Sequence, residues 1–213
     1  MTQDFPAFFV TGTDTDVGKT VASAWLALHL NGSYWKPVQS GITGPTDEQI
    51  IRTLTGFLDD RIFPPTYTLT QPLSPHESAR RDGVTIEMGR FALPMAGRPL
   101  VVEGAGGLMV PLNDKNFVID LIAQLGTPAI LVARSGLGTI NHTLLSLKAL
   151  RDKNIPVAGL IVNGPKTAHN RQALEEYGGV KVLAEIDQLP ALTREALLAV
   201  KPEFDLLAHR KAA

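Results

Sequence analysis

Short apolar runs alternate along this chain with longer stretches in which apolar positions recur at helical spacing. Ala7-Phe8-Phe9-Val10 is a short β-type run that ends at Thr11-Gly12. In residues 17–30, Val21, Trp25 and Leu28 fall near one face of a helix, and Asn31-Gly32 stops it. Tyr34-Trp35-Lys36-Pro37-Val38 reads as a second strand and Pro99-Leu100-Val101-Val102 as a third. Ala129-Ile130-Leu131-Val132 is a fourth, Val157-Ala158-Gly159-Leu160-Ile161-Val162 a fifth, and residues 180–186 a weaker sixth. Between them, helices are expected near 47–57, 86–95, 117–125, 139–152, 169–177 and 192–200. The Pro-rich stretch 63–75 reads as a loop with room for one short extended piece.

The strand runs are nearly continuous rather than alternating, which suits parallel strands buried on both faces. Strand–helix repetition then predicts an α/β fold, a doubly wound, mainly parallel sheet with helices on both faces. No repeat or linker interrupts it, so residues 1–213 are read as a single domain. In such a sheet ligands bind at the carboxyl ends of the strands. The polar residues just beyond those ends are therefore the ones to interrogate.

Composition narrows the chemistry. Twenty basic and 21 acidic residues give a net charge of -1, so no general attraction to nucleic acid or anionic membrane is expected. The absence of cysteine removes disulfides, thiolate nucleophiles, Cys-ligated zinc and iron–sulfur clusters together. The five histidines, His29, His76, His142, His169 and His209, are far apart and show no metal-ligand spacing. The N-terminus carries Asp4 and no basic region, so no signal peptide is read there. No apolar run approaches the roughly 18 residues that span a bilayer. A cytoplasmic protein is the resulting expectation.

The most specific feature is Gly12-Thr13-Asp14-Thr15-Asp16-Val17-Gly18-Lys19-Thr20, which follows the first strand and opens the first helix. Its Gly-Lys-Thr ending is that of a P-loop. The glycines let backbone amides turn toward a phosphate, and the helix N-terminus favours the anion. Lys19 then reaches the β/γ phosphates, and the Thr20 hydroxyl ligates Mg²⁺. The common motif has four residues between its glycines, whereas Gly12 and Gly18 enclose five.

That longer loop, from Thr11 to Thr20, resembles the dethiobiotin synthetases, a family of deviant P-loop ATPases. Further motifs are similar in family order: Lys36-Pro37-Val38-Gln39-Ser40-Gly41, Ser74-Pro75-His76, Val102-Glu103-Gly104-Ala105-Gly106-Gly107 and Gly138-Thr139-Ile140-Asn141-His142. The resemblance runs from residue 11 to about residue 165 and thins beyond. It implies a P-loop NTPase fold and a homodimer with a shared active site. It also implies a reaction: 7,8-diaminononanoate takes up CO2 as a carbamate, ATP phosphorylates it with Mg²⁺, and the second amine closes a ureido ring.

The residues can be set against those needs. Thr20 offers a hydroxyl, and Asp47 and Glu103 offer carboxylates, as ligands for Mg²⁺. Glu103 sits at a strand's carboxyl end, where a Walker-B acid belongs. Asp47, after Pro45-Thr46, reads equally as a helix N-terminal residue. Lys36 and Ser40 follow the second strand, where an ammonium and a hydroxyl would stabilise developing negative charge on the carbamate; Lys36 also reads as a surface lysine. Thr15 and Asp16 lie where a side chain touches both substrate and nucleotide, and many relatives carry Glu at Asp16. Val17, Gly18, Lys19 and Thr20 complete the nucleotide set. Asn163 offers an amide to a purine edge, or else a turn before Gly164. Ile186-Asp187 stands where the family tends to Ile-Pro. The turn containing Gly138, Thr139 and Asn141 would hold the substrate carboxylate from the partner subunit.

Three other readings compete. ATPase switches of the chromosome-partition or septum-placement type (ParA- and MinD-like) carry an extra lysine early in the loop, where this chain has Asp14. Their basic membrane-binding tail is also lacking, since residues 204–213 hold only Arg210 and Lys211 as Lys or Arg. A glutamine-dependent cobyrinate amidase would need a cysteine. A nucleotide-binding module without catalysis differs by having no diamine-dependent ATP turnover.

Overall fold

The computed structural model describes residues 5–203; Asp4 and the segment 204–213 lie outside them. Its elements run β1 (Ala7–Gly12), α1 (Lys19–His29), β2 (Ser33–Trp35), β3 (Val38–Ser40), α2 (Asp47–Thr55), β4 (Ile62–Phe63), β5 (Tyr67–Leu69) and α3 (Pro75–Arg81). Then follow β6 (Leu100–Gly107), α4 (Val118–Leu125), β7 (Ala129–Arg134), α5 (Thr139–Asp152), β8 (Val157–Asn163), α6 (Ala168–Gly178), β9 (Val182–Ile186) and α7 (Arg194–Ala199).

Seven strands form one sheet in the order β4-β2-β6-β1-β7-β8-β9, and every pairing is parallel. Successive residues of a strand point to opposite faces, so each face has its own core. Phe8 and Val10 join Trp25, Ile51 and Leu197 on the side of α1, α2 and α7. Ala7 and Phe9 join Trp35, Ile119 and Leu150 on the opposite side. Leu131, Leu147, Leu160 and Leu174 extend that second layer beneath α5 and α6. Trp25, on the helix face that the spacing predicts, is fully buried, and its indole donates to the Val200 carbonyl at 2.7 Å.

β1 lies centrally, with β6 on one side and β7 on the other. β6 and β7 follow it late in the chain, so the connections diverge at β1 and leave a crevice at its carboxyl end. The P-loop opens into that crevice.

Three expectations differ from the structure. The second strand, read as Tyr34 to Val38, is two strands in two sheets, because β3 pairs with β5 in a separate parallel ribbon. Pro37 divides them: it has no N–H for the main ladder, while its carbonyl accepts from Thr66 and Tyr67 at 2.9 and 3.1 Å. The helix expected near 86–95 is one 3₁₀ turn, Met88–Arg90, in an otherwise irregular segment. Gly89 and Pro94 weaken a helix there, and buried Ile86 and Phe91 dock the segment instead. Within the loop read at 63–75, Tyr67–Leu69 is the extended piece, and its end becomes α3, with Pro75 in the first turn.

Candidate active site

Parallel register builds the site. β2 pairs with β6 through Ser33↔Leu100, Tyr34↔Val101 and Trp35↔Val102. Continued by one residue, that register sets Lys36 beside Glu103. Tyr34 and Val101 both face the α1 layer. Lys36 and Glu103, each two residues further on, turn toward the same side. Thr20 in the first turn of α1 and Asp47 at the start of α2 approach from that layer. The start of α2 is fixed by a capping box: Gln49 N–H donates to Thr46 Oγ1 at 3.3 Å, and Thr46 N–H to Gln49 Oε1 at 2.9 Å.

The result is a buried polar cluster. Thr20 Oγ1 lies 2.5 Å from Asp47 Oδ1 and 3.0 Å from Glu103 Oε1. The Lys36 ammonium bridges the two carboxylates, at 2.6 Å from Asp47 Oδ2 and 3.2 Å from Glu103 Oε1. Burial alone would lower the Lys36 pKa, but Glu103 and Asp47 outweigh it and raise it above the ordinary lysine value. Burial likewise opposes ionisation of Asp47, yet Lys36 and hydrogen bonds from Lys36, Thr20 and Gln39 leave its pKa lowered. Both shifts describe a charged pair.

The phosphate loop sits beside this cluster. Lys19 is buried, and its ammonium donates to the Asp14 carbonyl at 3.1 Å. Burial pushes its pKa down, with Lys36 adding to that and Glu103, Asp47 and Asp16 opposing. Gly18 has φ 88°, and a Cβ there would come within 1.8 Å of Asn163 Nδ2, so only glycine fits. Thr15 and Asp16 are exposed on the loop, and Asp16 takes φ 56°, a left-handed conformation that Asp tolerates. Val17 is buried. Asn163, at the end of β8, donates from Nδ2 to the Val17 carbonyl at 3.0 Å and so braces the loop from below.

Ser40 Oγ is buried without a hydrogen-bond partner. Gly138 and Asn141 are exposed and Thr139 is buried at the start of α5. None of the hydrogen bonds of the Thr20–Lys36–Asp47–Glu103 cluster reaches that turn. His76 Nδ1 pairs locally with Ser74 Oγ at 3.1 Å.

Three partners of these residues were not read from the sequence. Tyr34 donates its phenol to Glu103 Oε2 at 3.1 Å. Burial, then the charges of Glu103 and Asp47, push the Tyr34 pKa well above its ordinary value, so it remains a donor. Gln39 accepts from the Asp47 N–H at 3.3 Å and donates to the Ser40 and Gly41 carbonyls, each at 3.2 Å. Arg134, at the end of β7, pairs with Asp14 at 2.6 Å, and Asp14 Oδ1 also accepts from Thr15 N–H at 2.7 Å. The spacing Tyr34-x-Lys36 was a usable signal, since alternate strand residues share a face.

A P-loop at the central strand's carboxyl end, facing a lysine and two carboxylates, defines a P-loop ATPase. In keeping with that class, a family model described as an AAA domain matches residues 6–196. A ParA family ATPase from Chlorobium tepidum has a similar fold, with a TM-score of 0.55 over 98% of this chain and 94% of that one, at 14% identity. Within the class, the ATP-dependent dethiobiotin synthetase BioD of Paramagnetospirillum magneticum is 53% identical over 91% of this chain and 94% of its own length. The corresponding BioD of Agrobacterium fabrum is 48% identical over 89% of this chain and 90% of its own. The chain belongs to the ATP-dependent dethiobiotin synthetase family.

Proposed function

We propose that the protein makes dethiobiotin in biotin biosynthesis from 7,8-diaminononanoate, CO2 and ATP. The observation that carries this reading is the convergence of Thr20, Lys36, Asp47 and Glu103 beside the P-loop lysine. One amine nitrogen bonds to CO2, giving a carbamate. A carbamate oxygen takes the γ-phosphoryl group and ADP leaves. The second amine then bonds to the activated carbonyl carbon, phosphate leaves, and the ureido ring closes.

Lys19 and the amides of Val17, Gly18 and Thr20 hold the β/γ phosphates in this reading, and Thr15 and Asp16 border both phosphate and substrate. Lys36 is the cation for the carbamate, and Ser40 its hydroxyl partner. Asn163 faces the adenine while it braces the loop. We read the protein as cytoplasmic, where ATP is supplied.

The donor set supports Mg²⁺. The Thr20 hydroxyl has one proton and two close carboxylate oxygens, so one of those contacts has no proton in it. Oxygens gathered in that way suit a hard cation, and Mg²⁺ asks for only one or two carboxylates besides water and phosphate. When bound, the ion would neutralise charge on the transferring phosphoryl group. Glu103→Gln and Asp47→Asn are each expected to raise the Mg²⁺ concentration for half-maximal rate by about ten-fold. Unchanged titrations in both variants would show that the metal is held elsewhere.

A cavity of about 380 Å³ adjoins Thr13, Asp14 and Thr15 and is lined by Leu108, Met109, Val110, Leu145 and Ala149, which suits a hydrocarbon chain. A larger one, about 660 Å³, lies over α6 and β9, but no P-loop or metal-side residue lines it. Met109 and Leu145, which line the first cavity, are exposed, as is Leu137 next to Gly138. Such apolar surface supports a homodimer, in which Gly138, Thr139 and Asn141 of one subunit hold the substrate carboxylate of the other.

Subunit complementation tests the sharing. Lys19→Ala and Gly138→Trp homodimers should each be inactive. In an equal mixture with subunit exchange, half of the dimers are hybrids with one intact site, so about one quarter of sites should recover. A mixture that stays inactive while exchange is demonstrated places the site within one subunit. For the reaction itself, ADP release should require both diamine and bicarbonate; release independent of the diamine would favour a switch.

A further inference from the structure

Tyr34 is a fully buried ionisable residue to which the reaction above gives no task. Its ring packs in the core beneath α1, among Val10, Trp25 and Val101. Its hydroxyl reaches the carboxylate that closes the polar cluster, at 3.1 Å from Glu103 Oε2. Glu103 itself is only 1% exposed, so no bulk water can replace that donor.

The two oxygens of Glu103 therefore have divided partners. Oε1 faces Thr20 at 3.0 Å and Lys36 at 3.2 Å. Oε2 accepts a hydrogen bond from Tyr34. A carboxylate can rotate about its last bond and present either oxygen. A neutral donor anchored in the core fixes that rotation without adding a competing charge.

We propose that Tyr34 is a positioning residue for the metal-side carboxylate: its phenol holds Glu103 Oε2 so that Oε1 is presented toward Thr20 and the phosphate loop. This rests on the reading of Thr20, Asp47 and Glu103 as the Mg²⁺ side of the site. Outer partners of this type orient ligating carboxylates in metal sites. Gln39 accepts the Asp47 N–H, whereas Tyr34 donates to the Glu103 carboxylate from within the core.

Tyr34→Phe removes one oxygen and keeps the packed ring. The Mg²⁺ concentration for half-maximal rate should rise by about ten-fold, with the KM for diaminononanoate changed less than about two-fold. Mn²⁺ binding in the presence of a non-hydrolysable ATP analogue, read by electron paramagnetic resonance, should weaken by a similar factor. In a Glu103→Gln background the same substitution should add little, because the partner it positions is already altered.

Trp35→Phe is the control for plain loss of packing. Trp35 lies on the same strand but faces the opposite core and donates to the Pro64 carbonyl. It should lower thermal stability without moving the Mg²⁺ titration. A Tyr34→Phe enzyme with unchanged Mg²⁺ dependence, or with an undiminished effect in the Glu103→Gln background, overturns the proposal. A wild type that needs no divalent cation overturns the metal reading first and this one with it.

If Tyr34→Phe does not fold, the wild-type enzyme decides. The chain has three tyrosines, so ¹³Cζ-tyrosine labelling with Tyr67→Phe and Tyr177→Phe assigns the Tyr34 signal. That signal should shift when Mg²⁺ and the ATP analogue are added. A signal that stays in place overturns the proposal.

Discussion

Lys19→Ala should lower dethiobiotin formation by about two to three orders of magnitude while leaving the fold intact, the scale of loss when a preorganised donor to a transition state is removed. Lys19 lies in the first turn of α1, where it is buried against the loop it serves. Its ammonium is held by the Asp14 carbonyl at 3.1 Å, within the ring of the loop itself. A cation fixed there need not reorganise as charge moves onto the leaving β/γ oxygen. Its removal takes away one intraloop hydrogen bond, so circular dichroism and the thermal melt should change little. A variant that keeps its rate within a few-fold would remove the P-loop assignment.

Lys36→Met should damage both activity and stability. The side chain is 9% exposed and bridges Glu103, at 1%, and Asp47, at 21%. Without the ammonium, two carboxylates face each other in a poorly solvated site. Breaking a buried pair by removing one partner costs about 3–5 kcal/mol, and partial exposure of Asp47 places this case at the lower end.

The pH dependence has a defined sign. Asp47 is depressed in the folded state, so its contribution is present above the unfolded value and is lost as pH falls through the folded one. Lys36 is raised, so its contribution is complete below the unfolded value and is lost as pH rises through the folded one. The stability gap between wild type and Lys36→Met should therefore be widest between about pH 4 and pH 10 and should close in acid. Urea melts at neutral pH and near pH 3 measure it. A gap that is equal at both would show that the pair contributes nothing net. On the role proposed for Lys36 at the carbamate, loss of activity should persist at saturating diamine.

What the sequence disclosed and what it did not have physical reasons. The P-loop was legible because its chemistry is contiguous: strand, glycine turn and helix start lie within residues 7–20. The central strands were legible because burial on both faces makes them uninterrupted apolar runs. The segment 86–95 was misread because Ile86 and Phe91 are buried by tertiary docking, and isolated apolar residues say nothing of backbone shape. α3 was missed because its seven residues are too few to show a period.

In the site, Thr20, Lys36, Asp47 and Glu103 were each readable from their place after a strand or at a helix start, although Asp47 and Lys36 also had ordinary surface readings. In the structure the four converge, and Lys36 is buried between two carboxylates rather than exposed at the surface. Tyr34 escaped notice because its task depends on the register of β2 against β6, which no local pattern fixes. The Asp14–Arg134 pair spans 120 residues and was invisible for the same reason.

The most direct measurement supplies the protein with ATP, Mg²⁺, 7,8-diaminononanoate and ¹³C-bicarbonate and follows the products by mass spectrometry. Dethiobiotin labelled in its ureido carbon should appear together with ADP and phosphate, and none should form when either ATP or the diamine is omitted. ATP turnover without labelled dethiobiotin, or turnover indifferent to the diamine, would contradict the assignment.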